Sequence, residues 1–401
     1  MNEKLKVIII CIVIFSITFA SSIFVNSLKW DSTQYLRIAK WLAYEKEEML
    51  VTLWLPLISF IKAGFFQIFG IEYGIIVTKF LYLFLISLTP VFIYLIARKL
   101  APENAWISCL GAFVFPYLYW STKLYLDPLA CFFTLVGIYF YIFKENKQTL
   151  SGIFFGLAIL TKFFFIIFIL PVIILFGEKK RKLTCIIIIS LLLIPWLVFS
   201  AIKFSNPFFI LFRTYFTYST FSVKTHPLTA LLEIFKILLI LFPIFIYFSI
   251  KKRDKFSILL WIYLISFLLL PGVKEIRYII PFLLLCIIYL SQLPKKIYFP
   301  AILIMFLVNF NLFIYFQAID FICSDKAIKE AGGFIKNLEG EIYANDFWPQ
   351  LSWYSEKNVR YYGNYKNSNS YVIFVNEKPP SNCNKLKTFK DNCFIVHILK
   401  C

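Results

Sequence analysis

The sequence is short of histidine and of acidic side chains, and it carries no internal repeat. Its two histidines, His226 and His397, stand in no spacing with cysteine that a zinc site requires. Asp and Glu total 22 against 41 Lys and Arg, giving a formal net charge of +19. Such a charge raises the question of nucleic acid. The basic residues, however, come in short clusters between apolar runs and spread no basic face over a soluble fold, which excludes that partner. Clusters of this kind follow the cytoplasmic flanks of membrane spans and meet anionic lipid headgroups. The missing repeat argues against an inverted-repeat transporter. Cysteine is also unevenly placed. Cys11, Cys109, Cys131, Cys185 and Cys286 lie in apolar runs and read as small buried hydrophobes. Cys323, Cys383, Cys393 and Cys401 lie towards the C-terminus, where Cys383 and Cys393 can bridge if that end faces an oxidising exterior.

What the sequence has in abundance is apolar surface, at 60% hydrophobic residues. Runs long enough to span a bilayer recur through its first four fifths, so the chain is expected to be an all-α polytopic membrane protein. The candidate spans are Val7–Val25, Ile75–Ala97, Ala105–Trp120, Pro128–Phe143, Ser151–Thr161, Phe163–Phe176, Leu183–Ile202, Ala230–Ile250, Phe256–Leu270, Ile276–Leu290 and Ile297–Phe316. They number about eleven. The basic stretch Met1–Lys6 resembles a signal-peptide start, but the run behind it is long for one and lacks a small-residue cleavage site, so an uncleaved first span is expected.

The basic clusters Arg98–Lys99, Lys144–Lys147, Lys179–Lys182, Lys251–Lys255 and Lys295–Lys296 set the orientation. With a cytoplasmic N-terminus all of them fall inside. Asp31, Asp127, the loops Lys203–Thr229 and Gly272–Arg277, and the C-terminal segment then fall outside. This parity needs two choices. Val51–Gly70, interrupted by Pro56 and Lys62, is read as an interfacial segment of an outer loop (26–74) and not as a span. Ser151–Phe176 has basic clusters on both sides and Thr161–Lys162 in its middle, so it is read as a hairpin of two short helices with a protein-buried apex. Residues 1–320 thus form a transmembrane module. Residues 321–401 turn polar and read as a small extracytoplasmic α/β domain, with a helix over Ala327–Leu338 and strands over Glu341–Ala344, Tyr371–Val375 and Phe394–Leu399.

Few side chains in this pattern can do chemistry. Asp31 follows the first span in Trp30-Asp31-Ser32-Thr33-Gln34-Tyr35. Its plainer reading is an interface residue beside a Trp anchor; its functional reading is a general base at the membrane surface. Asp127 precedes Pro128 at a helix start, either as an ordinary loop residue or as a second outer carboxylate. Lys162 lies within a long apolar stretch, where a cation either snorkels to the interface or binds a phosphate. In Lys274-Glu275-Ile276-Arg277-Tyr278, Arg277 either pairs with Glu275 or meets a phosphate. Lys203, Arg213, Lys224 and His226 sit in an aromatic-rich outer loop that reads as an interfacial cover, which can also shield a site.

In layout the whole chain resembles the GT-C superfamily of membrane glycosyltransferases, in the branch of the dolichyl-phosphate-mannose protein mannosyltransferases and the lipid A aminoarabinose transferases. Four local matches carry the resemblance. Trp30-Asp31-Ser32-Thr33-Gln34-Tyr35 with Ala39 resembles the first outer loop, and the Pro56 segment ending at Phe69-Gly70 resembles its interfacial helix. Gly152 to Lys162 resembles the Gly-Leu-Ala, Leu-Thr-Arg/Lys hairpin, and Lys274 to Tyr278 resembles a Lys-Glu-x-Arg-Phe/Tyr motif.

The resemblance implies a polyprenyl- or dolichyl-phosphate sugar as donor, a protein, lipid or glycan acceptor, and inverting transfer on the outer face. It implies Asp31 as base, Asp127 as the second acidic position, Lys162, Arg277, Tyr278 and Lys274 at the carrier phosphate, and Trp30 and Tyr35 at the substrate. Many relatives carry paired acids in the first loop, whereas Ser32 and Thr33 follow Asp31 here. No metal and no cofactor is therefore expected, although Asp31 and Asp127 leave a shared divalent ion open. The alternative to a transferase is a transporter or lipid flippase, which would place polar residues deep in several spans.

Overall fold

Apolar sequence builds helices here, and the punctuation between them comes from Pro, Gly and single polar residues. The computed structural model describes residues 2–24, 30–44, 57–209, 226–269, 275–323, 325–362, 370–377, 380 and 383–401. Lys274, Pro56 and most of the Lys203–Thr229 loop, with Arg213 and Lys224, lie outside them, as do the side chains of Trp30 and Lys203. The helices are α1 (Glu3–Phe24), α2 (Trp30–Tyr44), α3 (Leu57–Ser87), α4 (Thr89–Leu100), α5 (Ala105–Ser108), α6 (Phe115–Thr122), α7 (Leu126–Phe143), α8 (Gln148–Thr161), α9 (Ile166–Phe176) and α10 (Lys179–Phe204). They continue as α11 (Pro227–Leu238), α12 (Leu241–Lys252), α13 (Lys255–Leu269), α14 (Ile280–Leu290), α15 (Lys295–Ile322), α16 (Lys326–Ile335) and α17 (Trp348–Ser355). Five strands follow the last long helix: β1 (Ile342–Ala344), β2 (Val359–Tyr361), β3 (Tyr371–Val375), β4 (Asn384–Lys390) and β5 (Ile395–Lys400).

Among the described residues, five helical stretches are long and apolar enough to cross a membrane. A bent pair makes a sixth, and four shorter apolar helices accompany them. Length therefore gives five or six full crossings, against the eleven apolar segments read from sequence. Several of those segments are broken. Ala105–Trp120 becomes α5, a 3-10 turn over Cys109–Phe113 and α6. Ala230–Ile250 becomes α11 and α12, bent by 102° at Leu239, whose φ is 51°. Ile276–Leu290 opens with a 3-10 turn over Ile276–Ile279 before α14. Backbone freed at such breaks needs partners where no water reaches. The buried Asn309 supplies two: its Oδ1 accepts from the Phe115 N–H at 2.9 Å, and its amide donates to the Ile237 carbonyl at 2.9 Å. The Val51–Gly70 segment appears from residue 57 on as the first part of α3, which kinks at Gly70 with φ 75°. Only glycine adopts that backbone without strain.

The chain divides into two compact units. One comprises Met1–Phe19, Thr52–Ile58 and Thr78–Ile314; the other comprises Ala20–Val51, Ser59–Val77 and Tyr315–Cys401. In the first unit α8 lies against α7 and α10. Gly152 and Gly156 allow this: a Cβ on Gly152 would fall 2.8 Å from Ile188 Cβ, and one on Gly156 2.5 Å from a Leu192 methyl. The pair is a small-xxx-small stripe of the kind that brings apolar helices close.

In the second unit the strands form one sheet in the order β2-β1-β3-β5-β4. β1 runs parallel to β2 and β3, whereas β5 runs antiparallel to β3 and β4. One face buries Ile342, Ala344, Ile373, Val375, Val396 and Ile398 with Ala327, Ile328, Ala331 and Ile335 of α16. Sequence reading places three of the strands; β2, β4 and α17 are additions. Two disulfides join Cys323 to Cys393 and Cys383 to Cys401. This corrects the Cys383–Cys393 pairing: each of those cysteines has another partner. Residues 20–51 and 59–77, read as part of module 1–320, fall in this second unit with 315–401.

Candidate active site

In the first unit, two chain breaks converge on one buried polar cluster. α7 starts at Leu126 behind the extended Tyr125, so Asp127 lies in its first turn with Pro128 after it. A carboxylate suits the amide-rich start of a helix, and proline there loses no hydrogen bond. α8 stops at Thr161, and Lys162 takes extended backbone before the 3-10 turn over Phe163–Phe165, which is the expected hairpin apex. The two breaks bring Lys162 Nζ to 2.6 Å from Asp127 Oδ1, with Asp127 fully buried. The same ammonium lies 4.5 Å over the Tyr278 ring. Arg277 is also buried, with Nε 2.5 Å from Glu275 Oε2 and Nη2 3.1 Å from the Tyr278 hydroxyl. Its guanidinium stands 4.4 Å from the Tyr125 ring centre and 5.3 Å from that of Trp120. Asp127, Lys162, Arg277 and Tyr278 are thus brought together.

The second unit holds Asp31 and Tyr35, both on α2 and both buried. Tyr35 packs on the first part of α3: its ring lies 5.5 Å from Lys62 Nζ, and its carbonyl accepts from Ser59 Oγ at 3.5 Å. Leu36, Ala39 and Phe66 form a small apolar core between these helices, with Trp353 of α17 against it. On its other side α2 meets α17. Arg37 stands 5.7 Å over Trp348, and Lys40 lies 5.7 Å over Trp353 and 3.7 Å from Glu356 Oε1. Arg37 is 1% exposed, and burial lowers its pKa to about 10, which leaves it charged at neutral pH.

Arg37, Lys40 and Lys62 were not among the site residues expected from sequence. Lys62 stood out only as an interruption of an apolar run. Arg37 and Lys40, one helical turn apart between Trp30 and Trp41, carried the available signal: paired cations on one helix. Among the described residues no group of three or more His, Cys, Asp and Glu side chains is placed to hold a metal.

Residues 55–205 match the family model for dolichyl-phosphate-mannose-protein mannosyltransferases. No curated protein matches the chain by sequence. Among solved structures, the chain is similar to ArnT from Cupriavidus metallidurans bound to undecaprenyl phosphate, with a TM-score of 0.67 at 11% identity over 98% of this chain and 97% of that one. The apo state of the same ArnT matches with the same TM-score and identity over 99% and 98%. The chain shares the fold of that ArnT, mostly helical with a small C-terminal sheet. The family match covers less than half of the chain, and the structural likeness, at 11% identity, is one of fold.

Proposed function

We propose that the chain moves a sugar from a polyprenyl- or dolichyl-phosphate carrier to an acceptor hydroxyl on the outer membrane face, with inversion at the anomeric carbon. The observation that carries the proposal is the buried cluster of Asp127, Lys162, Tyr278 and Arg277. Cations held in an apolar setting strongly stabilise charge that develops on a leaving phosphate. A buried ammonium needs a counter-charge, and Asp127 supplies it to Lys162 before any substrate arrives.

In this reading Asp31 takes the proton of the acceptor hydroxyl, and the freed oxygen attacks the anomeric carbon through an oxocarbenium-like transition state. The bond from that carbon to the phosphate oxygen breaks, and its electron pair stays with the phosphate. Lys162, Arg277 and Tyr278 receive the charge, with Lys274 completing the motif. Tyr35 and Trp30 contact the sugar. Lewis-acid help is not part of the scheme: one carboxylate of the set already faces a lysine. The carrier's polyprenyl tail lies in lipid, and the carrier's class is supported by a structurally similar ArnT bound to undecaprenyl phosphate. An outer site and an extracytoplasmic C-terminal end fit the two disulfides there, which belong to oxidising compartments.

The test is turnover by purified protein with a panel of polyprenyl-phosphate sugars and cell-envelope extract. Release of polyprenyl phosphate, with a glycoside of inverted anomeric configuration, is the expected result. Movement of intact carrier lipid across a vesicle bilayer without sugar release would overturn the reading in favour of a flippase.

A further inference from the structure

In the first unit Lys162 and Arg277 have carboxylates beside them; among the described residues Arg37 of the second unit has none. Arg37 is 1% exposed, and its Nε and Nη1 have no hydrogen-bond partner among the described residues. No ion pair to it is formed among those residues either. Its contact is the face of Trp348, 5.7 Å away. A cation–π contact offsets only part of the cost of taking a guanidinium out of water. One turn earlier on α2, the 1%-exposed Gln34 also leaves its side-chain oxygen without a hydrogen-bond partner among the described residues. Residues three apart on a helix are neighbours on its surface, so Gln34 and Arg37 form one buried polar ridge.

We propose that this ridge is a binding site for a phosphate or carboxylate group carried on a hydroxylated molecule. The guanidinium fork matches two oxygens of such an anion, and a point charge does not. The Gln34 amide accepts from a neighbouring hydroxyl. The ridge continues at Asp31, another three residues back. Six residues of helix put Arg37 about 9 Å along the axis from that carboxylate. A substrate with its reacting hydroxyl at Asp31 would place an anion at Arg37 if the two groups are about that far apart; this last step rests on the transfer reading, whereas the anion site does not. Two sources share the chemistry: the carrier's own phosphate, and an anionic group on the acceptor.

The test is equilibrium dialysis of radiolabelled inorganic phosphate against the purified full chain in non-ionic detergent. Saturable binding is expected for wild type, weakened at least ~10-fold in Arg37→Met, the loss that follows from removing a charge-assisted pair. Arg37→Lys keeps the charge without the fork and is expected to bind several-fold more weakly than wild type, so it carries the test should Arg37→Met not fold. Displacement of the phosphate by undecaprenyl phosphate would assign the site to the carrier; binding undisturbed by that lipid would assign it to the acceptor. No saturable binding to wild type, or equal binding by wild type and both variants, overturns the proposal. Because the assay needs no turnover, its failure is separate from failure of the transfer reading.

Discussion

The two units bury cations in different ways. In residues 78–314, Lys162 and Arg277 each sit against a carboxylate and are then flanked by rings. In the second unit, Arg37 stands over an aromatic face, and Lys40 combines a ring with a longer contact to the half-exposed Glu356. The first arrangement is complete as it stands, and an incoming phosphate must share cations already neutralised. The second leaves a charge with hydrogen-bonding capacity still unused. A buried ion pair keeps its components in place, while a buried charge lacking a counter-ion is a standing cost that only a ligand removes.

The difference should show in stability. Lys162→Met leaves Asp127 buried without its counter-charge, which costs about 3–5 kcal/mol when a buried pair is broken from one side. The double variant Asp127→Asn with Lys162→Met should recover most of that loss, as read from unfolding midpoints in detergent. A double variant as unstable as the single one would show that the pair is not the unit of stability there. Arg37→Met should behave oppositely, with a change within about 1 kcal/mol of wild type or a gain, because an uncompensated buried charge is replaced by an apolar side chain of similar length. A loss as large as that of Lys162→Met would mean that Arg37 has a structural partner, and the contrast between the units would fall.

Much of this was legible in the sequence, and what was not has physical causes. The hairpin apex at Lys162 could be read because basic clusters on both flanks force an even number of crossings. The Asp127 and Arg277 positions followed from their places at apolar boundaries. The breaks at Leu239 and at Cys109–Phe113 were hidden, since hydropathy reports burial and not whether the helix is continuous. What satisfies those breaks, the Asn309 side chain, is one polar residue in a long apolar helix and gives no periodic signal. The disulfide pairing was hidden because spacing along the chain does not fix connectivity; the bridge from Cys323 spans 70 residues. Arg37 and Lys62 escaped for a different reason. A cation in an interfacial segment normally reaches water, and only the packing of α2 against α17 and of Tyr35 against α3 shows that these two do not.

The proposed reaction transfers a sugar with Asp31 as base. Its most direct test compares wild type with Asp31→Asn for release of polyprenyl phosphate from a polyprenyl-phosphate sugar that wild type turns over. The variant is expected to keep its fold and its affinity for the carrier while losing at least ~100-fold in rate, the scale of a lost general base. An Asp31→Asn protein that turns over at the wild-type rate would contradict it.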